Sequence, residues 1–380
     1  MERIYFDHAA TTPLDEEVLQ KMLPYFSMTY GNPDSPHGVG RAAMNAVDEA
    51  RDKVAALMGA KPSEIYFTAG GTEADNWALI GGAKAQKEKG KNRVIISAIE
   101  HHAVLSAAEE LEKEGFTITR APVDEWGRVS VDALQGLLSD DVGLVAVMAA
   151  NNETGVIQPI GEIAALAHTN GSLFFTDAVQ AAPYMPIRVK DWKADLLSFS
   201  AHKFYGPKGC GVLYIRGGVK MERFIVGGEQ ERGMRGGTIN VPSVVGLAAA
   251  YEKNVATMYE SNKKIARLRN AFYREIATLG GVFVNGDIEH SVPSLLNVRI
   301  EGVSNEELLR NLDLQGVCVA AGSACASASV KPSHVLMAMG MLAAEARRSV
   351  RFSFGRNNTM EEVMRGAEIT KEIVTRLRNF

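Results

Sequence analysis

Lys203 is the residue whose setting most clearly predicts chemistry. Residues 195–200 read as a short apolar strand that runs into polar residues and this lysine, just before the turn-forming residues 204–209. Ligands of open α/β sheets bind outside the carboxyl ends of strands, so we expect Lys203 to close its strand and meet a small molecule. Its amine could form the Schiff base that pyridoxal phosphate requires. A solvated lysine is the alternative, and Lys208, inside the turn, is a less firmly held rival.

A phosphate cradle is the second requirement of that cofactor, and residues 67–75 offer one. They read as a strand, a glycine pair and the start of a helix, with Thr72 and Asp75 spaced like a capping box. Exposed backbone N–H groups at such a turn bind anions, and glycine lets a phosphate approach closely. The stretch therefore predicts a phosphate site, with a tight strand–helix turn as the alternative.

A carboxylate that keeps the pyridine nitrogen protonated is the third requirement. Asp177 stands at the end of a predicted strand, 173–176, where a buried carboxylate could pair with that nitrogen. Gln180 is near enough in sequence to reach the phenolic oxygen of the ring. Taken alone, Asp177 is more typical of a helix N-cap.

Other polar residues could reach the cofactor or a substrate. His101 follows a predicted strand, and its imidazole could stack on the ring and exchange protons near neutral pH. Asn152 could contact the ring or a substrate carboxylate, and the basic, glycine-rich loop 232–240 places Thr238 where a phosphate could be bound. Arg351 alternates with apolar neighbours, and its fork could hold an α-carboxylate through two hydrogen bonds. The alternatives are that His101 is structural, that Asn152 only forms a turn, and that loop 232–240 is a flexible surface loop.

Cys325 suggests which reaction takes place. It lies within residues 320–329, which contain no large side chain, so we expect an exposed, mobile loop that carries one thiol. Cys318, between two valines, reads as core, and Cys210, between two glycines, reads as structural. If the substrate is cysteine, the Cys325 thiolate could take its sulfur, leaving a persulfide on the enzyme and alanine on the cofactor. A surface thiol without a role is the alternative.

The length and amino-acid composition are those of an ordinary globular protein. The chain has 380 residues, of which 46% are hydrophobic and 23% charged, so two domains are expected. A net charge of -4 argues against nucleic acid as a partner. No apolar run approaches the roughly 18 residues of a membrane span, and no signal-peptide pattern opens the chain, so we expect a cytoplasmic protein without a membrane partner. The three cysteines form no Cys-x-x-Cys pair, which disfavours a disulfide framework and a cysteine metal site.

Alternating strands and helices must position these residues. Strands are predicted at 65–68, 93–97, 144–148, 173–176, 195–200 and 212–216, and helices at 72–89, 103–114 and 160–168. Such short apolar runs predict a mostly parallel sheet with crossover helices. A long helix at 243–279 would bridge to a smaller α+β domain with strands near 282–284, 295–300, 317–319 and 349–353, and helices at 305–315 and 359–377. We expect a large cofactor-binding domain, 15–255, and a small domain of 1–14 plus 256–380 that carries the cysteine loop.

These stretches together resemble cysteine desulfurases of the nitrogen-fixation and iron–sulfur-cluster type, within the class V aminotransferase family of fold type I pyridoxal phosphate enzymes. The resemblance spans nearly the whole chain and implies an α/β fold with a seven-stranded, mostly parallel sheet, flanking helices and a smaller α+β domain. Its markers, in chain order, are DHAATTP (7–13), GNP (31–33), GGTE (70–73), EHH (100–102), NNETG (151–155), DAVQ (177–180), SAHK (200–203), RGGT (235–238) and GSAC (322–325).

The resemblance implies a role for each site residue. Lys203 would bind the cofactor and move the α-proton, His101 would stack on the ring, and Cys325 would form the persulfide. Asp177 would pair with the ring nitrogen and Gln180 with the phenolic oxygen. Phosphate would be held by Gly71, Thr72, Ser200 and His202, and by Thr238 from the partner subunit of a homodimer. The substrate carboxylate would be held by Asn152, which also contacts the cofactor, and by Arg351.

The resemblance also implies partners. L-cysteine would be the substrate, and a sulfur-acceptor or iron–sulfur scaffold protein would receive the sulfur. No resident metal is expected, although Cys325 could transiently bind a cluster shared with a scaffold. A selenocysteine lyase or a class V aminotransferase is the enzymatic alternative, and a non-catalytic protein that binds pyridoxal phosphate or docks a scaffold is another. Ala201, Ile239 and Phe352 depart from the commonest pattern of the family.

Overall fold

The computed structural model describes residues 3–322 and 332–379. The strands of these residues are β1 Ile4–Tyr5, β2 Ile65–Thr68, β3 Arg93–Ser97, β4 Thr117–Ala121, β5 Val142–Ala146, β6 Leu173–Asp177, β7 Leu196–Ser200, β8 Gly211–Ile215, β9 Val282–Val284, β10 Leu295–Ile300, β11 Val317–Cys318 and β12 Ser349–Ser353. The helices are α1 Glu16–Met22, α2 Pro24–Ser27, α3 Gly38–Met58, α4 Gly71–Asn76, α5 Gly82–Lys87, α6 His102–Lys113, α7 Val131–Leu137, α8 Ile160–Thr169, α9 Val241–Ala277, α10 Asn305–Leu314, α11 His334–Ala338, α12 Ala343–Ala346 and α13 Met360–Arg378.

A seven-stranded sheet in the order β2-β8-β7-β6-β5-β3-β4 forms the larger unit. Strands β4, β3, β5, β6 and β7 run parallel, and β8 and β2 pair antiparallel at one edge. The mostly parallel seven-stranded sheet that the resemblance implies is therefore confirmed. Strand β4 is missing from the strands read off the sequence. It is an edge strand that is exposed at Thr117 and Arg120, so it lacks the continuous apolar run of the inner strands.

Both faces of this sheet are covered, which explains why its inner strands are buried at nearly every position. Successive residues of β6 point into different cores, with Phe174 on the side of α3, α8 and α9 and Phe175 on the side of α4 and α6. The predicted helix 72–89 is observed as α4 and α5, joined by the π-helical turn Trp77–Gly81. Trp77 is fully buried in the second core, so this wider turn is held by packing.

The smaller unit contains the antiparallel sheet β12-β10-β9 and the parallel pair of β1 with β11. Its core is aromatic, with Phe272 in contact with Phe6, Phe352 and Phe354 at ring-centroid distances of 5.5, 4.6 and 5.4 Å. Since Phe6 belongs to the first residues of the chain, the N-terminal segment packs with this unit. The exact division at residues 14 and 255 stays a prediction.

Helix α9 connects the two units. Leu247 and Tyr251 in its first half belong to the core of the large sheet, whereas Ile265 and Phe272 belong to the aromatic core. The predicted bridging helix is thus present over 37 residues. No described helix combines the length and the apolar character needed to cross a membrane.

Candidate active site

A cavity of about 200 Å³ lies at the carboxyl ends of the parallel strands, where the start of α4 faces the ends of β6 and β7. An adjoining cavity shares Gly71, Thr72, Ser200 and His202 with it. Most of the residues that the sequence predicts for the site line the first cavity. These are Gly71, Thr72, His101, Asn152, Asp177, Gln180, Ser200, His202, Lys203 and Arg351.

Lys203 lies in a 3-10 turn, Ala201–Lys203, that directly follows β7. The expectation that the lysine itself closes the strand was wrong, because the strand ends at Ser200. The turn brings the amine back over the sheet edge. Its Nζ donates hydrogen bonds to the carbonyl oxygens of Ala9 and Ala10 at 2.6 and 2.9 Å. The N-terminal motif therefore orients the amine in the cavity.

Asp177 is the last residue of β6 and is only 4% exposed. Its Oδ1 accepts a hydrogen bond from the backbone N–H of Val179 at 2.8 Å. Burial raises the pKa of Asp177 to about 6, although the Lys203 charge acts in the opposite direction. Gln180 donates through Nε2 to the Ala9 carbonyl at 2.9 Å, so it shares an acceptor with Lys203. A cation placed beside Asp177 would favour the ionised carboxylate.

Asp75 is a second buried carboxyl group in the cavity wall, which sequence reasoning assigned to a capping box. That expectation was wrong, because α4 begins at Gly71 and its N-cap is Gly70. Asp75 instead accepts a hydrogen bond from Ser198, and Ser198 pairs in register with Asp177 across β6 and β7. Burial, followed by the Asp177 charge, holds the pKa of Asp75 well above its usual value. A buried aspartate inside an amphipathic helix leaves no signal in residue spacing.

His101 is both structural and part of the cavity. It is the N-cap residue of α6, and its Nδ1 accepts the backbone N–H of Ala103 at 3.1 Å. Burial lowers the pKa of His101 to about 4, and the charge of Lys203 contributes. The ring is therefore neutral near pH 7, and since Nδ1 accepts, its proton is on Nε2. The structural role of His101 as an N-cap and its position in the cavity wall are therefore compatible.

The cavity wall is tightly packed around Gly71. A Cβ at Gly71 would lie 2.8 Å from Val179 Cγ2, so a larger residue between α4 and the residues after β6 would force this side chain to move. The hydroxyl of Ser200 donates to the Cys210 carbonyl at 3.5 Å, and His202 Nδ1 lies 3.1 Å from Thr11 Oγ1. Burial lowers the pKa of His202 to about 4.

Arg351 brings β12 of the smaller unit to the cavity. It is 1% exposed, and its Nη1 and Nη2 donate to the Asn152 carbonyl at 2.8 Å and to Asp7 Oδ1 at 2.9 Å. Its buried Nε has no hydrogen-bond partner among the residues that the structure describes. The sequence did not reveal the pairing with Asp7, because the two residues are 344 positions apart.

Two predicted site residues are not placed in the cavity. Thr238 is exposed and belongs to neither cavity of its own chain. Cys325 lies within residues 323–331, outside the described part of the chain. The prediction that Cys318 is a core residue was wrong, because its side chain is only half-buried, whereas Cys210 is buried. Burial raises the pKa of Cys210 to about 12, which makes it a poor nucleophile.

Comparison with known proteins assigns this architecture to a family. The family model described as aminotransferase class-V matches residues 4–365, and the chain belongs to this family. Its members depend on pyridoxal phosphate, so the cofactor prediction is confirmed.

Individual relatives indicate which type of enzyme within this family the chain resembles. The chain is 46% identical over 377 residues to a cysteine desulfurase IscS of Methanosarcina thermophila, covering 99% of this chain and 93% of the relative. It is 46% identical over 382 residues to a cysteine desulfurase IscS of Clostridium botulinum strain Hall, covering 100% and 96%. A solved structure of a NifS-like protein matches with a TM-score of 0.93 and 39% identity, covering 98% of this chain and 99% of that one. The resemblance to cysteine desulfurases is confirmed.

Proposed function

We propose that this protein is a cysteine desulfurase that converts L-cysteine to L-alanine and carries the sulfur as a persulfide on Cys325. In this reaction the Cys325 thiolate attacks the substrate sulfur and forms a sulfur–sulfur bond, while the electron pair of the broken carbon–sulfur bond stays with the substrate β-carbon, which takes up one proton. The observation that carries the proposal is one cavity lined by Lys203, Asp177 and Arg351. An amine, a buried acid and a carboxylate receptor are what an amino acid bound to pyridoxal phosphate needs.

The cavity residues fit the cofactor. When bound, pyridoxal phosphate withdraws electrons from the α-carbon of an amino acid. Asp177 would hold the ring nitrogen, and its poorly solvated carboxyl gains from a cationic partner. The backbone of Gly71 and the hydroxyls of Thr72 and Ser200, which line both cavities, would receive the phosphate, with His202 beside them. The Lys203 amine, held by two carbonyl groups, would bind the cofactor and then move the α-proton.

Substrate recognition would rest on Arg351 and Asn152. The guanidinium is already oriented by Asn152 and Asp7, and its buried Nε–H is available for a carboxylate oxygen. Burial makes such a charge-assisted hydrogen bond strong and selective for α-amino acids. His101, neutral and with its proton on Nε2, would contact the ring and assist proton transfer.

The decisive experiment compares the intact protein with Cys325→Ala. With L-cysteine and a reductant present, the intact protein should form alanine and sulfide in equal amounts. Cys325→Ala should keep the absorbance of bound cofactor yet form neither product. Cys318→Ala, which removes a partly exposed thiol outside residues 323–331, is the matched control and should retain activity. If Cys325→Ala behaves like the intact protein, the proposal fails, and selenocysteine and 2-oxo acids become the substrates to test.

The protein would work as a homodimer in which Thr238 completes the phosphate site of the partner subunit. The support is that Thr238 is exposed while its loop is firmly anchored, through Arg235 to Glu73 at 2.9 and 3.0 Å and through Glu231 to Arg51 at 2.8 and 2.9 Å. A mixed dimer of Lys203→Ala and Thr238→Ala chains should contain one intact site and recover activity that neither variant has alone. A sulfur-acceptor protein such as an iron–sulfur scaffold would be the partner, in the cytoplasm.

A further inference from the structure

Lys208 is a charged residue beside the cofactor site to which the proposed function gives no role. It lines the second cavity, which adjoins the one containing Lys203. The two cavities share the residues expected to bind phosphate, Gly71, Thr72, Ser200 and His202. Of the described residues that line the second cavity, Lys208 is the only lysine or arginine. The structure therefore places it on the side of the site where the phosphate is expected.

The residues expected to bind the phosphate carry no charge near pH 7. Three of them are a glycine, a threonine and a serine, and Thr238 of the partner subunit is uncharged as well. Burial, followed by the charges of Lys203 and Lys208, lowers the pKa of His202 to about 4, so its ring is neutral. A phosphate monoester carries about −1.5 to −2 charges at pH 7. A counter-charge must therefore come from another residue.

Glu73 is an acidic residue in the wall of the second cavity, and its charge is already balanced. Arg235 donates to its two carboxylate oxygens at 2.9 and 3.0 Å, and the N–H of Ala69 donates to Oε2 at 3.0 Å. Lys208, by contrast, takes part in none of the salt bridges between described residues. Its charge is therefore available to an anion in this cavity.

The turn that carries Lys208 is firmly held, although the residue itself is exposed. Tyr205 has a φ of +65°, which non-glycine residues rarely adopt, and its N–H donates to Thr12 Oγ1 at 2.8 Å. The N–H of Gly206 donates to the Ala201 carbonyl at 3.0 Å, and a Cβ on Gly206 would lie 2.9 Å from that oxygen. Strained backbone of this kind persists only where surrounding contacts impose it. The backbone of Lys208 therefore has a fixed place beside the second cavity.

We propose that Lys208 is a further cofactor-binding residue, whose ammonium group supplies the counter-charge for the phosphate. The proposal rests on the phosphate position proposed above and is independent of the role of Cys325. A lysine binds phosphate as a point charge on a flexible stem, so an exposed side chain on a fixed turn is sufficient. Because this charge is exposed to solvent, its effect must weaken as salt is added.

Pyridoxal phosphate and pyridoxal, which lacks only the phosphate, separate this role from general support of the cavity. Cofactor-free protein is titrated with each compound at low and at high salt, and binding is followed by absorbance. In Lys208→Gln we expect the Kd of pyridoxal phosphate at low salt to rise roughly fivefold, and the Kd of pyridoxal to stay within about twofold. The difference between the variant and the intact protein should shrink at high salt.

Additional variants and a competitor sharpen the test. Lys208→Arg, which keeps the charge, should bind pyridoxal phosphate within about twofold of the intact protein. Inorganic phosphate should compete with pyridoxal phosphate less well in Lys208→Gln than in the intact protein. Lys190→Gln, at an exposed position that lines neither cavity, is the matched control and should change none of these affinities.

The outcomes are distinguishable. Unchanged affinity for pyridoxal phosphate in Lys208→Gln would overturn the proposal. Equal losses for pyridoxal phosphate and pyridoxal would also overturn it, since Lys208 would then support the cavity as a whole or bind the cofactor through its aldehyde. A loss that is the same at low and high salt would exclude a role of the charge. An intact protein that binds both compounds equally would instead refute the phosphate site on which the proposal rests.

Discussion

The protein should lose stability between mildly acidic and neutral pH through one buried group, Glu100. Its Oε1 accepts hydrogen bonds from Ser97 Oγ at 2.5 Å and from the N–H of Met148 at 2.8 Å. Its Oε2 is buried without a partner among the described residues. Burial, reinforced by the charge of Asp177, raises the pKa of Glu100 from 4.5 to about 8.

The direction in which stability changes with pH follows from proton binding. Between these two pKa values the folded protein keeps the Glu100 proton and the unfolded chain releases it, so the folded state binds more protons and stability falls as pH rises. The stabilisation that comes from the Glu100 proton is fully present below the pKa of Glu100 in the unfolded chain. It is lost by about pH 8. Each pH unit removes about 1.4 kcal/mol, so from about pH 5 to about pH 7.5 the loss is about 3 kcal/mol.

Glu100→Gln removes this ionisation while keeping an oxygen for Ser97 and Met148. Relative to the intact protein, the variant should therefore become more stable by about 3 kcal/mol between those two pH values. Urea unfolding at fixed protein and cofactor concentrations measures the difference. Glu112→Gln, at an exposed position of α6, controls for ordinary titration. Parallel pH curves for Glu100→Gln and the intact protein would refute the reasoning, since Glu100 would then ionise normally in the folded state.

Two further substitutions test the cavity itself. Arg351→Lys should raise the KM for L-cysteine at least about tenfold without changing cofactor absorbance, because an ammonium cannot replace the fork that also holds Asp7 and Asn152. An unchanged KM would remove Arg351 from substrate binding. Gly71→Ala should weaken cofactor binding roughly tenfold in an absorbance titration, since its Cβ would lie 2.8 Å from Val179 Cγ2. Gly161→Ala, with open space around its Cβ, is the control, and equal affinities would show that the start of α4 does not hold phosphate.

Much of the site could be predicted because parallel strands bring their carboxyl ends to one edge. Asp177 ends β6 and Ser200 ends β7, and Gly71 begins the helix that follows β2. Residues more than a hundred positions apart thus converge once the apolar runs are recognised as neighbouring strands. Which strands are neighbours is seen only in the structure, and the roles expected of the residues came from the resemblance and not from the runs themselves.

What could not be predicted depends on contacts distant in sequence. Asp75 and Glu100 look like ordinary helix and loop acids, and only the packed structure shows that they are buried beside Asp177. The pairing of Asp7 with Arg351 joins the two ends of the chain. Spacing rules describe local periodicity, so they carry no information on which polar side chains the tertiary fold removes from water.

Arg351 connects the cavity to three parts of the chain that are distant in sequence. Its side chain is held by Asn152 and Asp7, while its backbone exchanges hydrogen bonds with Ala320. A displacement of β12 would therefore disturb all three contacts together. Because Arg351 lies in the smaller unit and the Asn152 carbonyl follows a strand of the larger sheet, this hydrogen bond fixes the guanidinium at a cavity that residues of both units line.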